Sequence, residues 1–202
     1  FKVLLQQLFT AGHFPDQKIS NLLARFISGD FQESSFPYLK AALLSSAPAH
    51  YDHLLRASSL HGTFFEQLMR MGIKKSQAAL NKKLDSVWEK ADVANTFHLA
   101  NLWMSALRQA GVNLSRLHEA GFPRQTGKLK AILKNARQVA LDLDESLPLR
   151  IQAIKVLSQG DALHDGVLST LAVLIQPAEN SSVRYDAIAG LGNLREIESA
   201  NM

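Results

Sequence analysis

The sequence predicts an all-α chain, a superhelix of antiparallel helix pairs with an irregular N-terminal part. Three observations carry this. Apolar residues recur at helical spacing along almost all of the 202 residues, and no stretch keeps the strict alternation of a strand. Glycine, proline and capping residues arrive at short intervals, so the helices are short and turn back on one another. Near the C-terminal end, two stretches can be laid over each other at an offset of 34 residues, close to the period of a two-helix repeat.

Phe1 to Thr10 reads as a helix stopped at Gly12. Asp16 is placed to cap a second helix, with Ile19, Leu22, Leu23 and Phe26 on one face and Gly29 as its stop. Ser35 and Pro37 start a third helix through FPYLKAALLSS, and Pro48 starts a fourth, AHYDHLLRASSL, that ends at Gly62. A short helix follows from Thr63 to Met71, and Ser76 opens a longer one through Lys90. Asn95 or Thr96 opens the next, in which Phe97, Leu99, Leu102, Trp103, Leu107 and Ala110 include positions at helical spacing, and Gly111 closes it. Ser115 to Ala120 is too short to assign, and Gly121 to Pro123 marks a turn. The stretch TGKLKAILKNARQVALD then carries Leu129, Ile132, Leu133, Ala136 and Ala140 along one stripe.

The matched stretches are LRIQAIKVL at Leu149 to Leu157 and VRYDAIAGL at Val183 to Leu191. Arg150 pairs with Arg184, Ala153 with Ala187, Ile154 with Ile188, and Leu157 with Leu191. Between them lies ALHDGVLSTLAVLIQP, with Leu163, Val167, Leu171 and Leu174 on one stripe and Pro177 as its stop. Small Ala153 and Ala187 let neighbouring helices approach, and Ile154, Leu157, Ile188 and Leu191 are expected to fill the space between layers. An arginine early in each first helix can lay its stem on apolar surface and reach a neighbouring turn or an acidic side chain.

LPLRIQAIKVL, the terminating Pro177 and SSVRYDAIAGL resemble HEAT repeats of the armadillo-like class. The wider run ARQVALDLDESLPLRIQAIKVLSQGD also resembles the helical segment of large secreted proteins of planctomycetes and related bacteria. In that family a sugar-dehydrogenase-like β-propeller precedes the helices and a c-type cytochrome domain follows them. The resemblance spans about Ala136 to Leu194. It implies HEAT-like repeats over 122–202, divergent repeats or a helical cap over 1–121, and a periplasmic or secreted location if the second likeness holds. It also implies that the chain, which opens at Phe1 in mid-helix, is a segment of a longer multidomain protein. No C-x-x-C-H is present, so the haem of such a parent would lie outside this segment.

Composition bounds the chemistry. A 47% hydrophobic share supports a sizeable core, and the 20% of charged residues are spread along the chain rather than gathered in a tail. The net charge of +4 permits an anionic partner without demanding one. With no cysteine, disulfides, thiolate metal sites and cysteine nucleophiles are excluded from these residues. No apolar run reaches the roughly 20 residues of a membrane span.

Among the seven histidines, the best metal candidate is HYDH, where His50 and His53 sit three apart with Asp52 between them and His61 as a distant third ligand. Partly exposed helix histidines explain the same pattern, and His164 beside Asp161 and Asp165 is read as a helix start. No nucleophile elbow, triad or separated carboxylate pair is recognisable. Asp142, Asp144 and Glu145 fall in a connection where solvation and capping account for them. GLGN at Gly190 to Asn193 has no preceding strand and so is no phosphate loop. Trp88 and Trp103 are expected in the core. No catalytic residue and no cofactor are therefore expected here.

Some HEAT-like solenoids cradle DNA on a basic surface. Lys130, Lys134 and Arg137 share a helix face as a candidate anion-binding patch, preceded by Arg124 and Lys128, while Lys74, Lys75, Lys82 and Lys83 form a second basic group. Nearby Asp85, Glu89, Asp142, Asp144 and Glu145 dilute both. The expected function is a non-catalytic scaffold that binds another protein or docks flanking domains of the same chain. The alternatives are a helical spacer in a redox protein and a nucleic-acid-binding solenoid.

Overall fold

A computed structural model describes residues 2–28, 37–58, 63–160 and 166–200. The described residues are all-helical, with ten α-helices, one short 3-10 turn and no strand. Gly29, Ser35, His61, Gly62, Asp161, Leu163, His164 and Asp165, each given a part by the sequence pattern, lie outside the described residues. Helix contacts divide the chain into two compact units, 1–87 and 88–202. The expected boundary at Gly121 falls inside the second.

The first unit holds α1 (Lys2–Ala11), α2 (Gln17–Ser28), α3 (Pro37–Ala57), α4 (Thr63–Lys75) and all but the last residue of α5 (Gln77–Trp88). Asp16 caps α2 as expected: its carboxylate accepts from the Lys18 N–H at 2.6 Å, and its carbonyl accepts the first helical bond from Ser20. On α2 it is Leu23 that is buried; Leu22 is 66% exposed, so the expected four-residue apolar face is narrower than the pattern suggests. Ser76 caps α5 through a backbone bond to Leu80.

The two helices expected on either side of Pro48 are present, and they meet at a kink. Residues 37–57 are two helical pieces joined at His50, whose φ of −122° and ψ of 17° are non-helical; α3 denotes the pair. Pro48 stands two residues before the kink, where its missing N–H and its ring weaken the preceding turn. α3 is the hub of this unit and packs on α1, α2 and α4. Its Leu43, Leu54 and Leu55 join Phe65, Leu68 and Leu80 in a fully buried core.

One contact in this core has no slack. The Tyr51 hydroxyl donates to the Leu68 carbonyl at 3.0 Å, and a Cβ on Gly72 would overlap that same hydroxyl. Gly72→Ala is therefore expected to lower the stability of the unit by about 2 kcal/mol through overpacking. Tyr51→Phe in the same chain should recover part of that loss, so the two costs, read from urea midpoints, should sum to more than the double variant shows.

The second unit holds α6 (Val93–Gln109), the 3-10 turn Leu114–Arg116, α7 (Pro123–Leu141), α8 (Leu147–Leu157), α9 (Val167–Leu174) and α10 (Ser181–Ala200). α6 begins earlier than expected, because Asp92 rather than Asn95 or Thr96 is the cap; its carboxylate accepts from the Asn95 N–H at 2.8 Å. The helix ends at Gly111, whose φ of 78° lets Val112 N–H reach back to the Leu107 carbonyl while Gly111 N–H bonds Arg108. Gly121, with φ of 92°, ends the following turn in the same way and delivers Phe122 and Pro123 to the start of α7.

α8 is the centre of this unit, packed against α6, α7 and α10, and α9 lies on α7 and α10. The expected α7 stripe is buried from Leu129 to Ala140. On α6 the buried set is Phe97, Leu99, Trp103 and Leu107 with Ala100, Met104 and Ala106, while Leu102 and Ala110 are half-buried. Trp103 meets Phe122 edge-on with ring centres 5.1 Å apart.

The matched residues of α8 and α10 part company in their burial. Arg150, Ala153, Ile154 and Leu157 are buried, and so is Ala187; Ile188, by contrast, is 59% exposed, and Arg184 and Leu191 are half-buried. Ile188 thus does not fill a space between layers, because no described element lies over that side of α10.

Candidate functional site

In the first unit, the α3 bend, the start of α2 and the end of α4 enclose a cleft of about 440 Å³ lined by Gln17, Ser20, His50, Asp52, His53, Arg56, Lys75 and neighbouring residues. The HYDH motif lies along this cleft, and its histidines are occupied. His50 is buried, with Nδ1 at 2.8 Å from Ser20 Oγ and Nε2 at 2.9 Å from the Ala11 carbonyl oxygen. A carbonyl only accepts, so Nε2 carries hydrogen, and the single hydrogen of the Ser20 hydroxyl is shared between Nδ1 and the Asp16 carbonyl, 3.0 Å away. A metal ion at His50 would have to displace one of these partners. His53 Nε2 sits 2.6 Å from the Gln17 amide nitrogen. Among the described residues no group of three or more His, Asp or Glu side chains is arranged to hold a metal ion.

His50 is thus a staple between α1, α2 and α3, placed at the kink itself. His50→Ala is expected to cost the unit about 2 to 4 kcal/mol, from the cavity and the unpaired Ala11 carbonyl. Chemical unfolding reads the cost; metal content measured on the same samples should not change. Beside it, burial above all, and then the Asp52 charge, push the Tyr51 hydroxyl well above the usual phenol range, so it stays neutral and donates.

The second basic group does not act as a unit. Lys74, Lys75 and Lys82 are exposed, whereas Lys83 is half-buried and donates to the Arg56 carbonyl at 3.0 Å. Burial lowers the pKa of its ammonium.

In the second unit, Lys130, Lys134 and Arg137 are all exposed on α7. Lys128 is turned elsewhere, with its ammonium 6.0 Å from the centre of the Trp88 ring. Asp142 closes α7 and accepts from the Asp144 N–H at 3.0 Å, a turn contact of the kind expected for this acidic group. GLGN lies within α10.

Arg150 makes the strongest polar contact in this unit. Its Nε donates to the Ala140 carbonyl at 3.1 Å, and its two terminal nitrogens donate to the Glu179 carboxylate at 3.1 and 2.6 Å. The pair is largely shielded from water, with side-chain exposures of 6% and 12%. The Arg150 hydrogen bonds hold the Glu179 carboxyl below the usual carboxylate range; burial opposes them, and the Asn180 N–H and the arginine charge add to them. One guanidinium therefore ties the end of α7 to α8 and to the turn before α10.

No family model, no curated protein and no solved structure matches this chain. What the chain does must therefore be argued from its own surfaces.

Glu179 was not picked out by the helical pattern, although the sequence holds a sign of it. A glutamate stands five residues before the arginine in both matched stretches, Glu145 before Arg150 and Glu179 before Arg184. Arg184 lacks the counterpart of the bond that Arg150 makes: its Nε is buried with no hydrogen-bond partner.

Two exposed apolar stripes complete the surface of this unit. α9 shows Leu168, Ala172 and Ile175, and α10 shows Tyr185, Ile188, Ala189 and Gly192 at i, i+3, i+4 and i+7. On α10 this stripe lies opposite the buried one made by Val183, Ala187, Gly190 and Leu194. Isolated exposed apolar residues need no explanation, whereas a stripe at helical spacing has the form of a contact face.

Proposed function

We propose that the chain is a non-catalytic scaffold. Its second unit is a HEAT-like stack of helix pairs that holds another protein, or a flanking domain of the same polypeptide, on exposed helix faces. The observation that carries this reading is the contrast between equivalent positions. Ile154 is fully buried on α8, which packs on α6, α7 and α10, and Ile188, the matching residue of α10, is 59% exposed. In a stacked repeat each helix pair lends its outer face to the next layer, so the last described layer offers the face its predecessor has already used.

The test is comparative capture. Immobilised wild-type chain and an Ile188→Glu variant with the same melting temperature are exposed to extract from the source cell. A specific protein retained by the first and lost from the second supports the scaffold, whereas equal retention on both contradicts a role for this face.

The exposure of Lys130, Lys134 and Arg137 together on α7 favours a nucleic-acid-binding version as the second reading. It predicts retention on duplex DNA at low salt that falls steeply as salt rises, and loss of that retention in a triple alanine variant. A redox-spacer version predicts a haem absorption band in a longer parent protein and none in these residues.

A further inference from the structure

We infer that the outer face of α10 receives a helix led by a carboxylate: Arg184 takes the acid, and the stripe of Tyr185, Ile188, Ala189 and Gly192 takes the small-residue face of the helix. The inference rests on the repeat reading above and adds to it the chemistry of the occupant.

The template is the neighbouring interface. α10 lies on α8 with Gly190 at the crossing, where an added Cβ would meet the Ser158 Cβ at 2.9 Å. The turn that leads into α10 brings Glu179, eleven residues before Gly190, onto the Arg150 guanidinium. α8 meets this arrangement at Arg150 and Ser158, Ile154 lies between them at i+4, and all three are buried. Thirty-four residues on, α10 repeats those positions as Arg184, Ile188 and Gly192. Ile188 and Gly192 are exposed, and the space about Gly192 is open: a Cβ there would meet nothing within 4 Å.

Charge argues for an acidic occupant. On Arg150 the Nε is taken up by the Ala140 carbonyl and the acid sits on the two terminal nitrogens, and Arg184 repeats that arginine in the matched stretch. A carboxylate placed as Glu179 is placed on Arg150 would pair with the two terminal nitrogens of Arg184 and fix the register of the incoming helix. The occupant is thus a helix with an acidic residue in its leading turn and a glycine or alanine about three turns later, the spacing that α10 itself shows.

The probe is a labelled synthetic peptide of residues 178–200, the segment that fills the equivalent place on α8, titrated against the full chain by fluorescence anisotropy. The expected result is saturable binding, weakened at least about tenfold by Glu179→Lys in the peptide and by Ile188→Glu in the protein. The reversed pair, Arg184→Glu protein with Glu179→Lys peptide, should recover part of it. Circular dichroism and the melting temperature of each protein variant confirm that it is folded. No saturation below about 1 mM overturns the inference. So does binding indifferent to Ile188→Glu, which would mean that the peptide had replaced α10 on α8; the repeat reading would survive that outcome. Concentration-dependent dimers of the wild type that Ile188→Glu disperses, with no peptide binding, would assign the face to a second copy and overturn the inference likewise.

Discussion

Trp103→Ala is expected to remove about 3 to 5 kcal/mol from the second unit, the largest loss from any single core truncation proposed here. Trp103 is fully buried on α6 and packs edge-on against Phe122, the residue that starts α7. Truncation empties the volume of an indole at the point where two helices meet, and the surroundings can close only part of it. Against a typical total stability of about 5 to 15 kcal/mol, such a loss brings the unit to the edge of unfolding. Trp103→Phe separates packing from polarity. The indole Nε1 is buried without an acceptor, so phenylalanine gives up volume but also removes an unpaired donor. The phenylalanine variant should recover more than half of the alanine loss; equal losses in the two variants would show that ring volume is not what holds this junction.

Arg150→Ala is expected to cost about 3 kcal/mol, because it leaves the Glu179 carboxylate without its partner and the Ala140 carbonyl without a donor. The pair also predicts the direction of the pH response. Glu179 holds its proton less readily in the folded chain than when unfolded, so the unfolded state binds more protons in the acid range. The contribution is therefore full above the unfolded carboxylate value of about 4.3 and is lost as pH falls through the lowered folded value. Urea midpoints of the wild type and Glu179→Gln should differ at neutral pH and converge in acid. A gap that stayed constant with pH would mean that the ion pair contributes nothing to stability.

The helical class of the chain was open to sequence reasoning because it depends on local spacing alone. Leu129, Ile132, Leu133 and Ala136 fall on the buried side of α7 as their period requires. What failed was whatever depends on the neighbour rather than the helix. Ile154 and Ile188 each follow an alanine at the same place in the matched stretches, yet one is covered and the other is not, since burial is decided by what packs over the helix. The break in α3 was legible from Pro48, though its place at His50, two residues on, was not; there the packing of α1 and α2 on the His50 ring decides. Of the candidate site, Arg150 and its reach for a neighbouring turn or an acidic side chain were visible; Glu179 as the acid required the fold that brings a turn 29 residues away onto the guanidinium. The HYDH motif had the spacing of a ligand pair, and the hydrogen bonds of His50 explain its presence without a metal.

Native-state hydrogen exchange across the second unit tests the account most directly. In a stack whose stability comes from nearest-neighbour contacts, a terminal helix covered on one face opens more cheaply than a helix covered on both. The backbone amides of α10 should therefore exchange through a local opening at lower free energy than those of α8, and binding of an acid-led helix at Arg184 should slow the α10 amides first. Exchange of α8 and α10 in one global event of equal free energy would contradict the layered, open-faced scaffold.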